Sequence, residues 1–469
     1  MRRVMTLAIA AAVFLAACGR EEASPGAATE PGRPDPASLP GLTDSHYHLR
    51  GVGERELTLN LAGSESLQQL LDRVKSYADA HPESRWITGR GWLETHWAPP
   101  AFPSRWDLDA AVSDRPVYLV RADGHAAVAN SRALALAGIT RDAEAPSGGD
   151  ILRDAAGEPM GMLIDRAQEL VRRHLPDDGR PPLKEALRVG GQVAALQGWS
   201  TIHNVADGWD DVEALRELYA EDAMPVRNYV ALRWPGAGAA RLLDEGPILG
   251  EFDGRLTVRA IKIVLDGALG SRGAALFEPY ADDPGNTGLL LHAPEDIAPL
   301  LERALRRGIQ VWTHAIGDRA NRLALDLYEQ AFAAVPIAER AVTDPRWRIE
   351  HAQHVSAEDV PRFARLGVIA SMQPSHAIGD LHFAPSRLGM ERLRHAYAWR
   401  SLIDAGAIVI GGSDAPVEVG DPRIEFHAAT TRTDLDGHSG EGWHLEQAMS
   451  WDEAVRMFTT WPAYAAFEE

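Results

Sequence analysis

Scattered along the chain are residues of the types that hold metal ions or move protons. They are His46 and His48 in DSHYHL, Lys262 in VRAIKIVLDGALG, His314 in THAIGDRA, His351 in RIEHAQH and Asp414 in GGSDAPVE. Imidazole and carboxylate ligands suit zinc, and also manganese, iron or nickel. On a strand, the i, i+2 spacing of DSHYHL sends both imidazoles to one side, although an HxH alone is a weak signal. Lys262 is the odd member. The chain has only three lysines, Lys75, Lys184 and Lys262, among 47 basic residues, so an ordinary positive charge here is written as arginine. An ammonium in a β-branched, apolar run is costly unless it is paired or neutral. One reading pairs Lys262 with a carboxylate at a barrel mouth. The other is chemistry that needs an amine able to lose its proton and be modified, which arginine cannot supply. Carboxylated by carbon dioxide, Lys262 would become an anionic ligand able to bridge two metal ions.

Residues so far apart need a frame that gathers them. Short β-branched or apolar runs recur at 41–43, 201–205, 226–232, 258–265, 309–313, 347–350, 368–372 and 408–411, each followed by polar residues and a helical stretch. Eight strands alternating with helices predict an α/β fold of the (β/α)8 TIM-barrel type. Its active site is built at the C-terminal strand ends. His46 and His48 follow the first run, His314 the fifth, His351 the sixth and Asp414 the eighth, while Lys262 lies within the fourth. The stretch at about 58–196 is too long for a simple βα connection and is read as an insertion. Its Trp86, Trp92, Trp97 and Trp106 are either a lid or pocket wall, or the core of an inserted subdomain.

The N-terminus reads MRRVMTLAIAAAVFLAACGREE: a basic start, a short apolar stretch and LAAC ending at Cys18. The apolar stretch is too short to span a membrane and reads as a secretory signal. Leu15 to Cys18 also resemble a lipobox, so residues 1–18 are expected to be a lipoprotein signal and Cys18, the one cysteine of the chain, the lipidation site. Gly19 follows where a retention signal would place Asp, which favours a lipid-anchored protein of the bacterial outer membrane facing the periplasm. Residues 19–40, rich in Pro, Gly, Ala and Glu, read as a flexible tether. A net charge of −20 argues against a nucleic-acid surface. GxSxG, P-loop and GxGxxG patterns are absent.

The motifs PGLTDSHYHL, RADGHAAVANSRAL, IKIVLDGALGSRGAAL, THAIGDRA, RIEHAQH, SMQPSHAIGD and GGSDAPVE, in that order, resemble the amidohydrolase superfamily. Within it they are similar to the amidohydrolase-3 or YtcJ-like metal-dependent hydrolases, whose relatives include N-substituted formamide deformylases. The resemblance covers residues 41–469. It implies His46 and His48 on a first metal beside Asp414, and carboxylated Lys262 bridging to a second metal held by His314 and His351. The cofactor implied is one or two divalent ions, with zinc the expected one. His125 and His376 match positions that line a substrate pocket, with hydrogen-bonded structural histidines as the other reading. His354 is read as an orienting or surface histidine, and Asp318 equally as a helix N-terminal residue.

The implied activity is hydrolysis of a non-peptide C–N bond in a small amide, formamide, carbamate or cyclic amide. In it a metal-activated water attacks, and Asp414 serves as general base and then general acid. Two readings stay open beside it: a phosphoester or lactone hydrolase using the same site, and a catalytically inactive binding lipoprotein. The family's accessory β-sandwich, built from segments flanking the barrel, is expected to be largely missing.

Overall fold

β-branched and apolar residues form eight parallel strands: β1 (Leu42–Tyr47), β2 (Trp199–Ala206), β3 (Arg227–Arg233), β4 (Leu256–Val264), β5 (Gln310–Ala315), β6 (Arg348–His351), β7 (Ile369–Met372) and β8 (Val409–Gly411). They pair in chain order in a computed structural model that describes residues 41–176, 181–440 and 443–469. The signal segment with Cys18 and the 19–40 tether lie outside the described residues. β1 and β8 meet at their C-terminal ends, where the Asp414 N–H donates to the His46 carbonyl (2.8 Å) and the His48 N–H to the Ala415 carbonyl (2.9 Å). The result is a nearly closed (β/α)8 barrel, as the alternation of strands and helices predicts. No helix of the described residues is long and apolar enough to cross a membrane.

The interior is layered by the strand period of two. Ala260 and Lys262 lie along one face of β4, which is in register with β5 so that Lys262 sits beside Trp312 and Val264 beside His314. In turn His314 is beside Glu350 of β6. The lower layer holds His203, Tyr229, Trp312 and Arg348, all buried. Below it the C-terminal segment closes the barrel, with Ala466 packed against Tyr229 and Trp312 and the Ala465 carbonyl accepting from Gln310 Nε2 (2.8 Å).

Directly after DSHYHL, the helix Leu49–Leu57 packs on the helix Leu183–Gln197. The backbones touch: a Cβ on Gly53 would lie 1.8 Å from the Ala186 carbonyl oxygen, and one on Gly190 2.1 Å from that of Leu49. This close approach ties the first histidine pair to the helix that leads into β2. It also assigns Leu183–Gln197 to the barrel layer, which puts the end of the inserted segment before Leu183.

The insertion carries a six-stranded sheet in the order 59–60, 87–92, 117–121, 126–129, 159–165, 149–153. Its tryptophans settle the two readings offered for them. Trp92 and Trp97 lie in the insertion's own core, their ring N–H groups donating to the carbonyls of Leu119 (3.1 Å) and Ser64 (2.6 Å), and Trp86 packs in a neighbouring cluster. Trp106 is 44% exposed. None of the four lines the central cavity, so the lid reading is corrected: Trp86, Trp92 and Trp97 are core because each has sheet or helix to bury against, while Trp106 lies at the surface.

Candidate active site

At the C-terminal end of the barrel the histidines converge around Asp414. His48 Nε2 is 2.9 Å and His46 Nε2 3.6 Å from Asp414 Oδ1, while His351 Nδ1 is 3.9 Å and His376 Nε2 3.7 Å from Oδ2. Lys262 Nζ reaches in from β4 to 3.1 Å from His46 Nε2. The His314 ring centroid is 4.6 Å from that of His351, and the His125 ring, brought in by the insertion, is 5.1 Å from His314. All the residues singled out in the sequence for metal and substrate thus gather in one place. His354 and Asp318 do not. His354 is buried 3.6 Å from Asp318, whose carboxylate accepts from the Phe277 N–H (2.9 Å) at the start of a helix, and neither lines the cavity.

The backbone bends to achieve this. Neighbouring side chains on a strand face opposite ways, so Glu350 and His351 can both turn inward only if regular strand geometry ends between them. His351 at φ +73° and Ala352 at φ +41° supply that break, and Asp414 at φ +59° aims its carboxylate back over the barrel. Such conformations are unfavourable for residues with a Cβ and concentrate at functional sites. Asp44 braces the turn, accepting from the His46 N–H (3.0 Å), the Ser413 N–H (3.0 Å) and the Ser413 hydroxyl (2.5 Å). A side chain at Gly412 would come within 2.4 Å of the His46 nitrogen.

Several carboxylates escaped the sequence reading. Glu350 Oε2 is 2.5 Å from His46 Nδ1, which holds the ring with its Nε2 lone pair toward Lys262 and Asp414. Asp266 Oδ1 is 3.3 Å from His314 Nε2, and its carboxylate also accepts from the backbone N–H groups of Ala275, Ile316 and Gly317. Asp165 Oδ1 is 2.5 Å from His125 Nδ1. Glu350 stands beside His351 in RIEH and Asp266 closes the β4 run in VLDG. Proximity to a motif was the available signal, but partnership between distant strands was not.

Charge in the cluster follows from burial. Burial first, and then the nearby Lys262 charge, pull His46 down to about 4, so the ring is neutral. Burial also keeps His48, His314, His351 and His376 below the usual imidazole range. Lys262 is pulled down to about 8 by burial, against the opposing charges of Glu350 and Asp414. For Asp414 burial acts upward, but the His46, His48 and His351 rings hold the carboxyl well below its ordinary range. His46, His351 and Asp414 each offer one ligand atom, all within 4.8 Å of one another. Above them opens a cavity of about 960 Å³, walled by the barrel rim on one side and by the inserted sheet on the other.

A family model described as "Amidohydrolase family" matches residues 37–469. The chain belongs to the amidohydrolase family. It is therefore a hydrolase, with its candidate active site at the C-terminal barrel end. The putative amidohydrolase YtcJ of Bacillus subtilis is 33% identical over 438 residues, covering 92% of this chain and 80% of that protein. An N-substituted formamide deformylase of Arthrobacter pascens is 25% identical over 451 residues, covering 91% of this chain and 79% of that one. Among solved structures, an uncharacterized metal-dependent hydrolase from Pyrococcus horikoshii superposes with a TM-score of 0.69 at 27% identity, covering 92% of this chain and 81% of that chain.

Proposed function

We propose that this protein hydrolyses a non-peptide C–N bond in a small amide, formamide, carbamate or cyclic amide, with one or two divalent cations, zinc foremost, held at the histidine cluster. The observation that carries the reading is the convergence of His46 Nε2, His48 Nε2 and Lys262 Nζ on the Asp414 carboxylate, with His314 and His351 alongside. The donor set fits such a cation. The imidazoles are neutral, a carboxylate supplies charge, and His314 Nε2 is buried without a hydrogen-bond partner, its approach to Asp266 lacking hydrogen-bond geometry. His46, His48 and Asp414 would hold one ion, and His314 and His351 a second. When bound, the ions supply an acidified water and polarisation of the substrate carbonyl.

The rest is the work of the chain's own groups. Glu350 fixes His46 by meeting its Nδ1. Burial lowers the Lys262 amine to about 8, which raises the share of its neutral form, the form that reacts with carbon dioxide to give a carbamate and a proton; the carbamate would bridge the two sites. Asp414, held charged, takes a proton from the attacking water and returns it to the leaving nitrogen. His125, beside His314, and His376, beside Asp414, orient the carbonyl and its developing charge.

Metal content by plasma mass spectrometry, on a form beginning after Cys18 and purified without chelators, tests the site. Close to two transition metals per chain, falling in Lys262→Ala, supports the bridged arrangement; a folded protein without metal refutes it. A panel of N-formyl and N-acyl compounds beside phosphoesters and lactones tests the bond class. We place the protein in the bacterial envelope, anchored through lipid on Cys18, on the strength of the LAAC sequence. Loss of membrane association in Cys18→Ser is the expected result.

A further inference from the structure

The inserted sheet puts two arginines on the cavity wall and treats them differently. Arg121 is met by Glu94, which accepts from Nε (2.8 Å) and NH2 (3.0 Å), and by Asp123. Arg90, in the strand Ile87–Trp92, has no carboxylate within ion-pairing distance among the described residues. One terminal nitrogen donates to the Ala122 carbonyl (3.1 Å), and its Nε is buried with no partner. Burial pulls the guanidinium down, and the charges that offset this, Asp414 first and then Asp123 and Glu54, act on it without contact. Once cations occupy the histidine cluster, the Asp414 charge is taken up by them. A guanidinium held this way is costly unless something else neutralises it.

A second guanidinium on the same wall, Arg166, has the His292 ring 3.2 Å away and no carboxylate among the described residues. In a chain of net charge −20, two arginines without acids facing one cavity run against the overall balance. The planar guanidinium fork matches a carboxylate with two parallel hydrogen bonds.

We propose that the substrate is an amide bearing a carboxylate, and that Arg90 is a specificity-determining residue that holds this carboxylate while the C–N bond faces the histidine cluster. The inference rests on the hydrolase reading for the nature of the bond, but its test does not. The probes are 3-phenylpropanoate and 4-phenylbutan-2-one, alike in shape, different in charge and without a hydrolysable bond. They are titrated calorimetrically into the metal-loaded protein and its Arg90→Gln and Arg90→Lys variants.

Wild type is expected to bind the carboxylate about tenfold to hundredfold more tightly than the ketone. Arg90→Gln is expected to bring the two within about threefold. Arg90→Lys, which keeps a charge in the pocket, is expected to fall between. A wild type without preference, including one that binds neither probe, overturns the proposal. So does a preference that survives in Arg90→Gln, since the carboxylate would then be held by the metal ions or another group. An intact preference in a protein that turns over no N-acyl compound would instead fail the C–N bond reading alone.

Discussion

In the lower layer of the barrel, His203 is packed against the stacked pair Tyr229 and Trp312, and its Nδ1 lies 3.0 Å from an Arg348 nitrogen. One layer up, His46 is just as buried, but its Nδ1 meets Glu350 and its Nε2 faces Lys262 and Asp414. The layers are two residues apart on the same strands, Trp312 below His314 and Arg348 below Glu350. In the lower layer Gln310 Oε1 accepts from both Trp312 (2.6 Å) and Arg348 (3.2 Å), and the guanidinium lies 3.8 Å over the Trp312 ring. Polar groups there largely satisfy one another and build a plug. Above, they leave lone pairs converging on a common point. Burial of a histidine therefore does not distinguish structure from chemistry; what does is what its second nitrogen faces, an arginine locked into the packing for His203, and a modifiable amine and a carboxylate that converge with other imidazoles for His46.

Four experiments break or sharpen this contrast. Asp414→Asn removes the upper layer's proton carrier and is expected to lower kcat by about 10²–10⁴-fold, with metal content preserved. Full activity would remove Asp414 from that role. Trp312→Ala empties the lower layer and is expected to cost about 3–5 kcal/mol of stability, read by chemical denaturation. A loss of activity at unchanged stability would erase the distinction between the layers.

Glu350→Gln keeps the shape but weakens the hold on His46, and is expected to reduce metal affinity about 10- to 100-fold in a chelator competition. The same affinity in the variant would make Glu350 part of the lower layer's packing. The smallest effect is a control remote from both layers. Glu453 closes a capping box with Ser450 and pairs with Arg400, which together pull its carboxyl to about 2 from the usual 4.5. A lowered folded value means that this contribution is present above the unfolded value and is lost as pH falls from about 4.5 toward about 2. Glu453→Gln is expected to cost about 1 kcal/mol at neutral pH, with its acid-unfolding curve merging with wild type below that window. A gap that persists at low pH would point to packing rather than charge.

The barrel strands were legible because each is a short run of β-branched or apolar residues ending in polar ones, a local pattern. Lys262 was legible for the opposite reason, as a residue that breaks such a pattern. The tryptophans of the insertion were not, since density of rings in sequence carries no information about which face they bury. Nor were Glu350 and Asp266 assigned, although each stands inside a quoted motif, or Asp165, which stands in none.

The sequence by itself determined the number and order of the strands and the kinds of ligand at their ends, because strand formation and side-chain alternation depend on neighbours in the chain. Which carboxylate meets which histidine, which wall arginines lack an acid, and which buried histidine keeps an unpartnered nitrogen were settled only by the folded chain. Those pairings join residues as distant as His46 and Glu350, and they depend on strand register and on the left-handed backbone at His351 and Asp414, which composition and spacing do not specify.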